Sequence, residues 1–85
     1  MNISIIGCGY VGIITGTCLA NSNHKIYFYD KDKNKLNNFK NGEDLIYEKN
    51  LKNRLTSAKK NIFFCSSLEE AIKKSDAAFV CVGTP

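Results

Sequence analysis

The stretch Asn2-Ile3-Ser4-Ile5-Ile6-Gly7-Cys8-Gly9-Tyr10-Val11-Gly12 decides how this 85-residue chain is read. Asn2–Ile6 is a short, mostly apolar run, the pattern of a strand buried on both faces. Gly7-Cys8-Gly9 interrupts it. From Tyr10 to Asn21, apolar residues recur at Val11, Ile14, Cys18 and Leu19, which is helical spacing. Three glycines in G-x-G-x-x-G spacing therefore join a buried strand to a helix.

Working outward, the same two hydrophobic periods alternate along the chain. Asn21-Ser22-Asn23-His24 ends the first helix, with Asn23 as the left-handed residue. Lys25–Tyr29 is β-branched and aromatic and predicts a second strand, which stops at Asp30. A polar helix is expected from about Lys33 to Asn41, with Leu36 and Phe39 inward and Gly42 as its stop. Glu43–Glu48 reads as a loop, and Asn50 as the cap of a short helix with Leu51, Leu55 and Ala58 on its apolar face. Ile62–Cys65 predicts a third strand. Ser67 and Glu70 have capping-box spacing. The helix they open carries Leu68, Ala71, Ile72 and Ser75 on one face and ends at Asp76. Ala77–Val82 predicts a fourth strand before Gly83-Thr84-Pro85. Strands alternating with helices imply parallel pairing through right-handed crossovers. The expected fold is an α/β, Rossmann-like parallel sheet of order 3-2-1-4, with helices on both faces.

In that context the glycines have separate tasks. Gly7 allows the tight turn out of the strand. Gly9 lacks a Cβ, so a pyrophosphate can approach the backbone. Gly12 lets the helix pack close to the sheet, and Gly16, one turn on, extends that packing. The helix N-terminus presents N–H groups and the positive end of its dipole. Asp30 follows Gly12 by 18 residues and ends the next strand, where an acidic residue accepts hydrogen bonds from adenosine ribose hydroxyls. These residues predict a dinucleotide site. The Asp30 carboxylate would repel a 2′-phosphate, which favours NAD over NADP. Lys31, Lys33 and Lys35 argue the other way or form a solvated loop; the carboxylate at the strand tip is the closer group. Thr84, at the C-terminal end of the fourth strand, either offers a hydroxyl to the cofactor or belongs to an ordinary turn.

Composition bounds the alternatives. The chain has 12 Lys+Arg, 8 Asp+Glu and 44% hydrophobic residues, with a net charge of +4, which suits one small globular domain. The 11 lysines are scattered, without the basic stripe and interleaved aromatics of a nucleic-acid binder. No apolar stretch approaches the roughly 18–20 residues of a membrane span, and the N-terminus lacks a basic n-region. Cys8, Cys18, Cys65 and Cys81 include no CxxC pair, and the lone His24 is far from all four, so no metal site is expected. A disulfide framework is allowed by number; apolar surroundings favour reduced, mostly buried thiols in a cytoplasmic protein.

The residues Ile5–Gly12, Thr15-Gly16-Thr17-Cys18-Leu19-Ala20, Asp30 with Lys35, Ile46-Tyr47-Glu48 and Val82-Gly83-Thr84-Pro85 resemble the N-terminus of the nucleotide-sugar dehydrogenases, in order and across the whole chain. The second block and Tyr47 are more similar to the UDP-glucose 6-dehydrogenase branch than to the GDP-mannose or UDP-N-acetylmannosamine enzymes. The resemblance implies four-electron oxidation of UDP-glucose to UDP-glucuronate with two NAD. It implies cofactor contacts at Gly7, Cys8, Gly9, Tyr10, Val11 and Gly12, and at Asp30, Lys35 and Thr84. It also implies a UDP-sugar substrate and a homodimer for the full-length protein. Residues 1–85 are then the N-terminal NAD-binding portion, without the central helix or the substrate and catalytic domain.

The family's catalytic cysteine lies beyond such a portion. No catalytic residue is assigned here, and the 85-residue chain alone is expected to be inactive. Cys8 lines the glycine turn beside a helix N-terminus that would lower its pKa. Two departures stand out. The family's Tyr-Glu-Pro-Gly-Leu is Tyr47-Glu48-Lys49-Asn50-Leu51, and its Gly-His is Asn23-His24. Two other readings remain open at this point: another nucleotide-sugar dehydrogenase, and a non-catalytic nucleotide-binding module whose exposed fourth strand pairs with another chain.

Overall fold

A computed structural model of the chain describes residues 1–41, 53 and 56–81. Strand β1 (Asn2–Ile6) leads into helix α1 (Tyr10–Asn21), then β2 (Lys25–Tyr29) and α2 (Lys33–Lys40). Asn53 and residues 56–58 are helical and run into a 3-10 turn at Lys59–Asn61. Strand β3 (Ile62–Phe64), helix α3 (Leu68–Lys74) and β4 (Ala77–Val80) follow. All pairings are parallel and the sheet order is β3-β2-β1-β4.

Register and the two-residue alternation of strands decide which side chains share a face. Ile3 pairs with Ile26, and Ile5 with both Phe28 and Phe79. Ile5, Ile26 and Phe28 are fully buried. They face α1, which comes so close at Gly16 that a Cβ there would lie 2.3 Å from Cζ of Phe28. Phe39 of α2 joins this face, edge-on to Phe28 at 4.7 Å between ring centroids and to Phe64 at 5.5 Å. Such aromatic pairs add about 0.5–1.5 kcal/mol each beyond area burial. Ser4 points the other way and is also fully buried; its hydroxyl lies 3.0 Å from that of Ser75 at the end of α3. Helices thus cover both faces.

Helix ends follow from local chemistry. Asn23 adopts φ 67°, the left-handed region that Asn tolerates, so the loss of the family's glycine is absorbed there. The side chain of Asp32 caps α2, which stops at Lys40 with Asn41 as its C-cap. The Ser67 hydroxyl accepts the Glu70 N–H at 3.1 Å. Glu70 reaches back to the N–H of Ser66 at 3.2 Å, one residue before the usual partner in a capping box.

Some expectations need correction. In α3 only Ala71 is buried, whereas Leu68 and Ile72 are 46% and 47% exposed. The seven-residue helix rests on its small residues, and its branched ones fall on the flanks. Strand β3 stops at Phe64, although the Cys65 N–H still bonds the Phe28 carbonyl at 2.9 Å. Strand β4 spans only Ala77–Val80 within the described residues and is exposed throughout, as befits an edge strand with one neighbour. None of the four cysteines is in a disulfide; Cys8 and Cys65 are buried, but Cys18 is exposed and Cys81 half-buried. The sites expected at Gly42–Glu48, Asn50, Leu51, Leu55, Val82, Gly83, Thr84 and Pro85 lie outside the described residues.

Candidate cofactor site

The C-terminal edges of β1 and β2 open onto a cleft of about 350 Å³. Gly7, Gly9, Asp30, Lys31 and Lys35 supply its polar lining, and Ile6, Tyr29, Leu68 and Cys81 the rest. Ligands of doubly wound sheets bind at this edge because the helix N-termini converge there.

The three motif glycines sit in three different settings. Gly7 donates its N–H to the Tyr29 carbonyl at 2.8 Å, then turns the chain away from the sheet at φ 110°. That backbone conformation is strained for any residue with a side chain. Gly12 is set against the strand: a Cβ would lie 2.2 Å from the Gly7 carbonyl oxygen. Gly9 is different. Its φ of −78° and ψ of −178° suit any residue, and a Cβ there would meet nothing within 4 Å. The fold places no demand for glycine at Gly9; it leaves open space in front of it.

Gly9 is also the N-cap of α1, whose first intrahelical bond runs from the Ile13 N–H to the Gly9 carbonyl at 2.9 Å. No side chain caps this helix and its first turn carries no acidic residue. The positive end of a 12-residue helix therefore faces the cleft uncompensated by its own residues.

Asp30 sits beside that end, only 9% exposed. Its Oδ2 accepts the Cys8 N–H at 2.8 Å and its Oδ1 the Asp32 N–H at 2.8 Å. The carboxylate thus bridges the glycine loop and the turn into α2. Each oxygen keeps further acceptor capacity, since a carboxylate offers about four lone-pair sites. Lys35, exposed on the first turn of α2, lines the same cleft.

The expected residues therefore divide. Gly7, Gly9, Asp30 and Lys35 are brought together. Cys8 contributes its backbone N–H, but its thiol is buried, 3% exposed, in the core. That burial, with the negative charge of Asp30 added, pushes the thiol up to about 12 against an opposing effect of Lys35. The expected lowering by the helix N-terminus is thus reversed: desolvation outweighs the dipole. Cys65 is also raised, to about 11, by burial and its hydrogen bond to Glu70. Tyr10 and Val11 stand 62% and 66% exposed on the first turn of α1. Gly12 acts through packing.

Leu68 and Cys81 were not read from the sequence as part of the site. The available signal was topological: Cys81 directly follows β4, and Leu68 opens α3 four residues after the end of β3, both at the C-terminal edge of the sheet. Among the described residues no group of three or more His, Cys, Asp and Glu is placed to hold a metal ion. No described helix is long and apolar enough to cross a membrane.

Comparisons with known proteins agree with this geometry. Residues 1–85 match the family model for the NAD binding domain of the UDP-glucose/GDP-mannose dehydrogenase family. A UDP-glucose 6-dehydrogenase of Rhizobium meliloti is 38% identical over 87 residues, covering 100% of this chain and 20% of the relative. A UDP-glucose dehydrogenase from the archaeon Pyrobaculum islandicum superposes with a TM-score of 0.87 at 34% identity, over 99% of this chain and 20% of that one. A GDP-mannose dehydrogenase from Pseudomonas aeruginosa, solved as a ternary complex, gives 0.87 at 32% identity, over 100% and 20%. The chain therefore spans about a fifth of the length of these relatives. It belongs to the UDP-glucose/GDP-mannose dehydrogenase family, as the domain that binds NAD.

Proposed function

We propose that the cleft holds the adenosine diphosphate half of NAD, with the pyrophosphate over Gly9 at the N-terminus of α1. Asp30 receives the adenosine ribose hydroxyls, Lys35 lies on the adenosine side, and Thr84, outside the described residues, supplies a further cofactor contact. Gly9 carries this reading: a residue with ordinary backbone angles and empty space before it has no structural need to be glycine. A ligand passing close to the backbone supplies that need.

In the longer protein this domain serves oxidation of a nucleotide sugar, with NAD as hydride acceptor. The substrate we propose is UDP-glucose, converted to UDP-glucuronate with two NAD in a cytoplasmic homodimer. UDP-glucose 6-dehydrogenases among the relatives and the Thr15–Ala20 block support that choice. The GDP-mannose enzyme superposes equally well, so the sugar is argued from sequence blocks and not from the fold. The part the present residues play is to bind and orient the cofactor. Cys8 and Cys65 stay protonated thiols at neutral pH and are poor nucleophiles.

Isothermal titration of the chain with NAD and NADP tests the reading. NAD is expected to bind at least about tenfold more tightly, since a 2′-phosphate would bring its charge against Asp30. Equal or tighter binding of NADP would overturn the role of Asp30.

A further inference from the structure

Asp32 makes three connections at one point of the chain. Its N–H holds Oδ1 of Asp30 at 2.8 Å. Its own Oδ1 accepts the N–H groups of Asn34 at 3.0 Å and Lys35 at 3.3 Å. Its carbonyl takes the first intrahelical bond of α2, from the Leu36 N–H at 3.2 Å. The backbone at Asp32, φ −83° and ψ 101°, has the extended form that an N-cap requires. Asp32 does not itself line the cleft.

These bonds are linked. Capping by the Asp32 side chain fixes the turn between Asp30 and Lys35, and so fixes where the Asp32 N–H points. That N–H and the Cys8 N–H hold the two oxygens of Asp30 from opposite sides. The same cap sets the start of α2 and hence the position from which Lys35 reaches the cleft.

We propose that Asp32 is a positioning residue for the cofactor's adenosine ribose, acting through Asp30 and not by contact. The proposal rests on the reading that Asp30 receives that ribose. A carboxylate with both oxygens already oriented can meet two hydroxyls without reorganising, whereas one released on one side must be ordered when the ligand binds.

The test titrates NAD and its analogue lacking the adenosine 2′-hydroxyl into the wild-type chain and into Asp30→Ala, Asp32→Ala, Asp32→Gly and Asp32→Ser. Circular dichroism sets a temperature at which each is folded. Wild type is expected to prefer NAD, and Asp30→Ala to lose that preference. Asp32→Ala should reduce it about fivefold, the scale of one lost cap. Asp32→Gly should behave like Asp32→Ala: glycine supports a helix start nearly as well as aspartate but has no side chain to bond Asn34 and Lys35. It therefore separates positioning from helix stability. Asp32→Ser, a good N-cap without charge, should recover the wild-type preference within about twofold.

Equal weakening of both ligands in Asp32→Ala and Asp32→Gly, or no recovery with serine, overturns the role of Asp32. An unchanged preference in Asp30→Ala instead removes the ribose reading itself, and only that arm reports on it.

Discussion

Replacing Gly12 with alanine should destabilise the domain by about 3 kcal/mol or more, the upper part of the range for overpacking. The added Cβ would stand 2.2 Å from the Gly7 carbonyl oxygen, 3.2 Å from Cγ2 of Ile5 and 3.3 Å from Cβ of Cys81. The first of these is backbone and has no rotamer to escape into. Relief requires α1 to move off β1, and that movement opens the glycine turn. Alanine's better helix propensity, about 1 kcal/mol over glycine, acts in the opposite direction but is the smaller effect. A domain of 85 residues has total stability of about 4–13 kcal/mol. Thermal unfolding followed by circular dichroism should therefore show a loss of about 12 °C or more, and NAD binding should disappear with the fold. A change under about 4 °C would mean that Gly12 is not packed as described.

Replacing Gly9 with alanine should do the reverse and leave the fold intact. The backbone angles there suit alanine and its Cβ would meet no atom within 4 Å. Alanine loses roughly 0.5–1 kcal/mol relative to glycine as an N-cap and gains about 0.4–1 kcal/mol by restricting the unfolded chain. These nearly cancel, so the melting temperature should stay within about 5 °C of wild type. Affinity for NAD should fall tenfold or more, about 1.4 kcal/mol, because the methyl group occupies the path of the pyrophosphate. The two substitutions, three residues apart and chemically identical, are thus expected to separate folding from binding. Unfolding traces and NAD titrations of both proteins provide the comparison.

Much of this was legible in the sequence because the relevant physics is local. The strand buried on both faces, Asn2–Ile6, reads as an apolar run, Lys25–Tyr29 as a β-branched and aromatic one, and Asn23 marked a left-handed turn by residue type alone. The glycine spacing with Asp30 at the next strand tip placed Gly7, Gly9 and Asp30 on one cleft, and Lys35 joined them only through the family resemblance. What escaped depends on distance in space. Helical spacing put Leu68, Ala71, Ile72 and Ser75 on one face, but a seven-residue helix lying on β1 and β2 buries only the small Ala71 and leaves Leu68 and Ile72 about half exposed. The cysteine in the glycine loop reads as lining the turn, beside a helix N-terminus that by itself lowers a thiol's pKa. Its burial among core side chains, which no local pattern encodes, dominates and raises its pKa instead. The double engagement of Asp30 was also hidden, because it depends on where two backbone N–H groups from separate loops come to point.

NAD is expected to lie along the glycine loop at the C-terminal edge of the sheet. Amide NMR of the isotopically labelled chain during titration with NAD tests it most directly. The expected result is that the largest shifts fall on residues 7–12 and 30–35, with little change at His24 or Asn61 near the opposite edge. Shifts concentrated at that opposite edge, or none at saturating NAD in a folded chain, would contradict it.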